Sequence, residues 1–309
     1  MGAVFMTGFF MLSGFLMFYT SRSKDLSQIK NISAFYKKRL ADIMPLYLVA
    51  AVIFVLTIDR ENLLDNLFLA PVELLGLQSV FSSLFSVSHN GGTWFISCML
   101  ICYGIFPFLS ELLKQMTGKQ KAVCAALSLF VLLYAPLVVN RFVLHNIYSN
   151  PFFRALEFFL GAILAASMPE FHEHTCFHRF FSSKTALLVE IMVLITAVSA
   201  AVARNIGVGD YMLYNWICAP VFLLMLYTLA SVQFKNGKHR IVAYLSEISY
   251  AFFLAQFFTF PIVKRIMEAG VALNNVTKIV LSLTICLLLS VGFHELAEKP
   301  LGRLMRRWL

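Results

Sequence analysis

Nine long apolar runs separated by short polar connections organise the chain, at residues 2–20, 42–58, 93–113, 122–139, 151–168, 185–203, 211–231, 241–263 and 279–297. An α-helix needs about 20 consecutive apolar residues to cross about 30 Å of hydrocarbon, and each run reaches or approaches that length. The runs are continuous, whereas a barrel strand alternates with a period of two over about ten residues. The pattern therefore predicts an all-α fold: a polytopic integral membrane helical bundle with about nine transmembrane helices. Residues 62–71 are also apolar, but Asp65, Pro71 and Glu73 interrupt that region, and an interfacial or re-entrant helix is expected there. No internal repeat and no long hydrophilic stretch divides the runs, so residues 1–309 read as a single domain.

Composition agrees with the pattern, at 60% hydrophobic and 13% charged residues with a mean hydropathy of +0.78. The net charge of +9 adds a direction. Lys and Arg favour cytoplasmic loops, and strict alternation of the connections gathers eighteen of the 25 basic residues on one side. That side holds Lys37, Lys38, Arg39, Arg303 and Arg306. The bias predicts a multi-pass protein of the cell membrane with a cytoplasmic C-terminus, its first residues lying on the opposite side. The basic residues punctuate apolar spans and form no face of a soluble domain, so no nucleic-acid partner is expected. Five cysteines, Cys98, Cys102, Cys124, Cys218 and Cys286, fall inside spans, which excludes an extracellular disulfide framework. His172, His174 and His178 surround Cys176 in a loop, but their spacing matches no zinc pattern and no metal is expected.

Polar side chains within apolar runs are the first candidates for chemistry. Arg154 and Glu157 stand three apart and share a helical face, either as a structural ion pair or as the lining of an acceptor cavity. Gly91 and Gly92 permit a tight turn into a span that Trp94 would open at interfacial depth, with His89 just before it as either a solvated loop residue or a base. Lys37, Lys38 and Arg39 lead into Pro45, where they serve as flanking charge or hold phosphate by charge and by the guanidinium hydrogen bonds of Arg39. Gln256 offers a buried amide to a substrate carbonyl or hydroxyl. His294 and Glu298 are four apart, which reads first as a capping and surface-charge cluster at the cytoplasmic end.

The run Phe9-Phe10-Met11-Leu12-Ser13-Gly14-Phe15-Leu16, followed by Phe35-Tyr36-Lys37-Lys38-Arg39-Leu40-Ala41-Asp42-Ile43-Met44-Pro45-Leu46-Tyr47, resembles the opening of the membrane acyltransferase-3 family. Three further segments support the resemblance. They are Arg154-Ala155-Leu156-Glu157-Phe158-Phe159-Leu160-Gly161, residues 245–256, and Glu298-Lys299-Pro300; within the second, Phe253 and Gln256 replace a usual tyrosine and histidine. The resemblance implies an integral membrane acyltransferase that moves an acyl group, most simply acetyl, from cytoplasmic acyl-CoA to a hydroxyl of a surface or exported polysaccharide. It implies that Lys37, Lys38 and Arg39 bind acyl-CoA, although Asp42 stands where a second arginine is usual. It further implies that Ser13, Trp94, Tyr250 and Gln256 line the substrate site, and makes Arg154, Glu157 and His89 candidate catalytic residues. The partners implied are the lipid bilayer, acyl-CoA and a carbohydrate acceptor. Family members usually have ten spans, the first carrying a catalytic histidine ahead of the Ser13-Gly14 helix. No such helix precedes it here, so a truncated, inactive member is a second reading. A polytopic transporter of a glycan or lipid-linked intermediate, and a non-catalytic scaffold, are alternatives from other classes.

Overall fold

The computed structural model describes residues 2–58, 63–81, 92–142, 148–173, 183–205, 211–231, 240–270 and 274–308. Among these residues every regular element is a helix. In chain order they are α1 (Gly2–Ser21), α2 (Ile29–Thr57), α3 (Leu63–Leu74), α4 (Thr93–Gln115), α5 (Gly118–Phe142), α6 (Pro151–Glu173), α7 (Ser183–Asn205), α8 (Tyr211–Ser231), α9 (Arg240–Glu247), α10 (Ser249–Glu268) and α11 (Asn275–Phe293). A π-helical turn at His294–Glu298 joins α11 to α12 (Lys299–Trp308). Each of the nine apolar windows falls on helix. Among the described residues, four helical stretches are long and apolar enough to cross a membrane: Ile29–Thr57, Thr93–Gln115, Pro151–Pro169 and Asn275–Trp308. The bent pair α9 and α10, which meet at 59°, makes a fifth if it is one span. The fold is that of a helical membrane protein. At 12 residues, or about 18 Å, α3 is too short to cross, as its interrupted sequence suggests.

The chain divides into two compact units, the first comprising Met1–Ile32 and Cys98–Lys235. Its centre is the pairing of α1 with α6, flanked by α5 and α8, with α7 packed on α8. Glycine makes the central approach possible. A β-carbon on Gly161 would lie 1.8 Å from the Met11 carbonyl oxygen, and one on Gly14 would lie 1.9 Å from that of Phe158. Each glycine thus admits the other helix's backbone, the device by which small residues bring membrane helices into contact. Phe10, Met11, Phe106 and Phe158 close around the crossing and are fully or almost fully buried. The start of α6 is written locally, with Pro151 at the first helical position and Asn150 accepting the Phe152 amide through Oδ1 at 2.9 Å.

One end of this unit is tied together by polar contacts. Glu111 on α4 accepts the Leu26 amide at 2.8 Å, and Lys114 donates to the Lys24 carbonyl at 2.5 Å. Lys121 on α5 donates to the Ala166 carbonyl on α6 at 3.1 Å. Between α1 and α2, Asp25 accepts the Ser27 amide at 3.0 Å, the Ser27 hydroxyl and the Gln28 side chain, so it organises the turn that starts α2. These bonds favour the ionised carboxylate and hold Asp25 below the usual carboxylate range; the Ser27 hydroxyl contributes most and Lys114 least.

The second unit comprises Ser33–Ser97 and Asn236–Leu309. Here α10 packs along α11, and the rings of Phe54, Phe258 and Phe293 meet edge to face at 5.6 and 5.3 Å. Asn274 caps α11 by accepting the Thr277 amide at 2.8 Å, and Gly270, at φ +90°, lets the chain leave α10. Tyr250 on α10 donates to the Ile43 carbonyl of α2 at 3.1 Å. Gly302 of α12 lies against α2, where an added β-carbon would stand 3.2 Å from the Ala41 carbonyl oxygen.

Candidate functional site

In the first unit, the Gly14 and Gly161 crossing holds a buried ionic cluster. Arg154 and Glu157, exposed by only 1% and 2%, project from the first two turns of α6. Arg154 Nη1 reaches both carboxylate oxygens of Glu157, at 3.0 and 2.8 Å. The Thr7 hydroxyl of α1 donates to Glu157 Oε1 at 2.9 Å, and Arg154 Nε donates to the Tyr148 carbonyl at 2.8 Å. The rings of Tyr148 and Phe10 lie 5.0 and 5.6 Å from the guanidinium carbon. This packing answers the physical requirement that charges in a low-dielectric interior be paired and hydrogen-bonded. It also joins the Ser13-Gly14 segment to the Arg154-Glu157 segment, 150 residues apart at their Thr7 to Glu157 contact. Ser13 is half-buried on the same helix, α1.

Two polar regions mark the second unit. The first lies between α2 and the end of the chain, where a cavity of about 400 Å³ is bordered by Asp42, His294, Glu298, Lys299, Arg303 and Arg306. Arg306 donates to Asp42 Oδ1, and Arg39 Nη1 lies 3.8 Å from Asp42 Oδ2. His294 Nδ1 pairs with Glu298 Oε2 at 2.7 Å, while Glu247 stands 4.0 Å from Nε2. The ring is 6% exposed, so the His294 and Glu298 pair is not the surface cluster that its position suggests. The reason is local. The π-helical turn places one extra residue in the helix and turns His294 inward, a distortion that occurs often at functional sites. Lys37 and Lys38 stay exposed on α2, and Arg39 is half-buried, its guanidinium 5.6 Å from the Phe35 ring.

The second region surrounds the start of α4. Gln78 donates to the Thr93 carbonyl at 3.0 Å and to the Tyr47 hydroxyl at 3.2 Å, and Tyr47 donates to the Glu73 carbonyl at 2.7 Å. The Ser79 and Ser97 hydroxyls pair at 2.6 Å. Trp94 is buried beside this network, at 5% exposure, rather than lying open at an interface. Next to it an apolar groove of about 370 Å³ runs between α2 and α3, with Tyr47 and Glu73 on its wall. Gln256 is half-buried rather than buried and donates to the Phe253 carbonyl of its own helix at 2.8 Å.

A family model described as an acyltransferase domain matches residues 1–295. The chain belongs to the acyltransferase-3 family. It is also similar to the acyltransferase MdmB of Streptomyces mycarofaciens, 26% identical over 341 aligned residues that cover 99% of this chain and 82% of that one. No solved structure matches. Within this acyltransferase the predicted site residues fall into separate groups. Ser13, Arg154 and Glu157 belong to the first unit, and Lys37, Lys38, Arg39, Trp94, Tyr250 and Gln256 to the second. His89, and His174, Cys176 and His178 of the histidine-rich loop, lie outside the described residues. Among the described residues, no group of His, Cys, Asp and Glu could hold a metal ion.

Sequence reasoning missed Thr7, Gln78 and the Asp42 to Arg306 pair. Thr7 and Gln78 look like isolated polar residues, and neither has a partner nearby in sequence. Asp42 did carry a signal, because a carboxylate within an apolar helix calls for a cation. The cation comes from 264 residues away.

Proposed function

We propose that this acyltransferase transfers an acetyl group from acyl-CoA, taken from the cytoplasmic side, to a hydroxyl of a surface or exported polysaccharide. The observation that carries the reading is the buried cluster of Thr7, Arg154 and Glu157, which assembles two family-like segments around a single glycine crossing. A buried ion pair adds little net stability compared with well-packed apolar residues, so its presence inside a membrane helix favours a functional role. In this reading Arg154 and Glu157 position the reacting groups on the acceptor side, and Lys37, Lys38 and Arg39 attract the donor's phosphates at the cytoplasmic end of α2. Acyl transfer then needs a base to take the acceptor's proton and donors to stabilise the tetrahedral oxyanion at the thioester carbon.

The test is turnover by the purified chain in lipid nanodiscs, with radiolabelled acetyl-CoA and a panel of hydroxylated glycans. Label should move to a glycan, and the double substitution of Arg154→Met with Glu157→Leu should abolish transfer while the protein stays folded. Full activity in a folded double variant would reduce the pair to a packing element.

A further inference from the structure

Two features set the cavity at the α2 to α12 contact apart from the rest of the molecule. It gathers Arg303 and Arg306, beside a Lys299 that is already paired with Glu295 at 2.6 Å, against two carboxylates, Asp42 and Glu298, which are engaged by Arg306 and His294 respectively. It is also finished by a helix beyond the family match, which ends at residue 295. The Asp42 carboxylate sits between Arg306 and Arg39 and is in effect a tethered anion at that spot. Arg303 donates through Nε to the Lys299 carbonyl at 3.2 Å, and its terminal amino groups make no ion pair among the described residues. His294 contributes a ring nitrogen, Nε2, that is buried and without a hydrogen bond. Gly302 allows α12 to approach the α2 backbone at Ala41, which holds Arg303 and Arg306 next to the basic run of α2.

We propose that this cavity is an anion site for the phosphate or diphosphate of the acyl donor, in which Arg303 and Arg306 supply the cationic charge that Asp42 takes away from the α2 run. The identity of the occupant rests on the acyl-CoA reading above; the anion chemistry does not. Guanidinium groups suit phosphate because their planar donors bind two oxygens at once. A phosphate carrying more charge than a carboxylate competes with Asp42 for Arg306, so the ion pair opens as the ligand enters. The terminal helix is then part of the binding site and not only a positively charged tail.

The experiment uses the full chain in nanodiscs of neutral lipid, with acetyl-CoA and inorganic pyrophosphate as the two ligands and a short-chain anionic phospholipid as a third probe, each titrated separately. Arg303→Gln and Arg306→Gln should each weaken both ligands by about ten-fold, the scale of one charge-assisted hydrogen bond. Asp42→Asn should tighten both by removing the internal competitor, and Arg22→Gln, a charge removed elsewhere, should change neither. Gel filtration and thermal unfolding confirm that each variant is folded. Wild-type affinity for both ligands in Arg303→Gln and Arg306→Gln overturns the site, and acetyl-CoA binding that survives in those variants leaves the donor reading standing without it. Variant-sensitive binding of pyrophosphate but not of acetyl-CoA supports the anion site and overturns the donor as its occupant. Variant-sensitive capture of anionic lipid, with pyrophosphate inert, assigns the phosphate to a lipid headgroup and overturns the nucleotide assignment. No binding by the wild type to any of these probes overturns both readings.

Discussion

Glu157 accepts from both Arg154 and Thr7, and removing one member of such a cluster differs physically from removing all of it. Glu157→Gln leaves the Arg154 guanidinium buried without its counter-charge, at a cost of about 3–5 kcal/mol. Thr7→Val removes one hydroxyl donor, at a cost of about 1 kcal/mol. Replacing Arg154 and Glu157 together with methionine and leucine should destabilise the protein less than Glu157→Gln alone. Thermal unfolding in detergent, combined in a double-mutant cycle, reads all of these; additive losses would mean that the two side chains do not act as a pair. Asp25 allows a second check, outside the membrane-spanning segments. Its carboxyl group is held below its ordinary value in the folded chain, so its contribution is present above that ordinary value and lost as pH falls through the depressed folded one. Asp25→Asn should therefore lower stability near neutral pH, leave it little changed at pH values below the depressed folded one, and so flatten the acid limb of the stability profile.

At the scale of the elements, the α1 to α6 crossing is the feature most sensitive to a single added carbon. Alanine has the higher helix propensity by about 1 kcal/mol, so propensity alone predicts that Gly161→Ala stabilises α6. The added β-carbon would stand 1.8 Å from the Met11 carbonyl oxygen, which backbone cannot accommodate without the helices moving apart. Strain should win, with a net loss of about 1–3 kcal/mol. Gly14→Ala should behave the same way, and the double variant should cost less than the sum, because one separation makes room for both methyl groups. An unfolding midpoint raised by Gly161→Ala would show that the close approach does not exist in the membrane. The helices themselves were legible from hydrophobic run length, and each of the nine windows is helical. Their partners were not. Periodicity shows that Arg154 and Glu157 share a face, but not that Thr7 of another helix completes their hydrogen bonding. It likewise does not show the π-helical turn that buries His294, since one inserted residue leaves the apolar pattern of α11 unchanged.

For the molecule as a whole the number of helices that cross the bilayer sets the sidedness of every connection, and α3 is where nine apolar windows, against four or five sufficiently long and apolar helices among the described residues, can be brought to a test. Between Lys24 and Lys119 the chain runs through α2, α3 and α4. If α2 and α4 cross and α3 does not, Lys24 and Lys119 lie on the same side; a crossing by α3 would put them on opposite sides. The contacts of the first unit favour the former, because Lys114 donates to the Lys24 carbonyl and Glu111 accepts the Leu26 amide, which brings the connection before α2 to the end of α4. The positive-inside bias predicts that this shared side, like that of Arg306 and the C-terminus, is cytoplasmic. Single cysteines at positions 24, 119 and 306, introduced after the native cysteines are replaced, should all resist a membrane-impermeant maleimide applied to intact cells and react once the cells are opened. Labelling of position 119 but not 24 in intact cells would make α3 a crossing element. Position 306 should follow position 24 in either case, because Arg306 donates to Asp42 at the start of the apolar run of α2, and labelling of 306 with protection of 24 would break that contact and with it the cavity proposed for the donor.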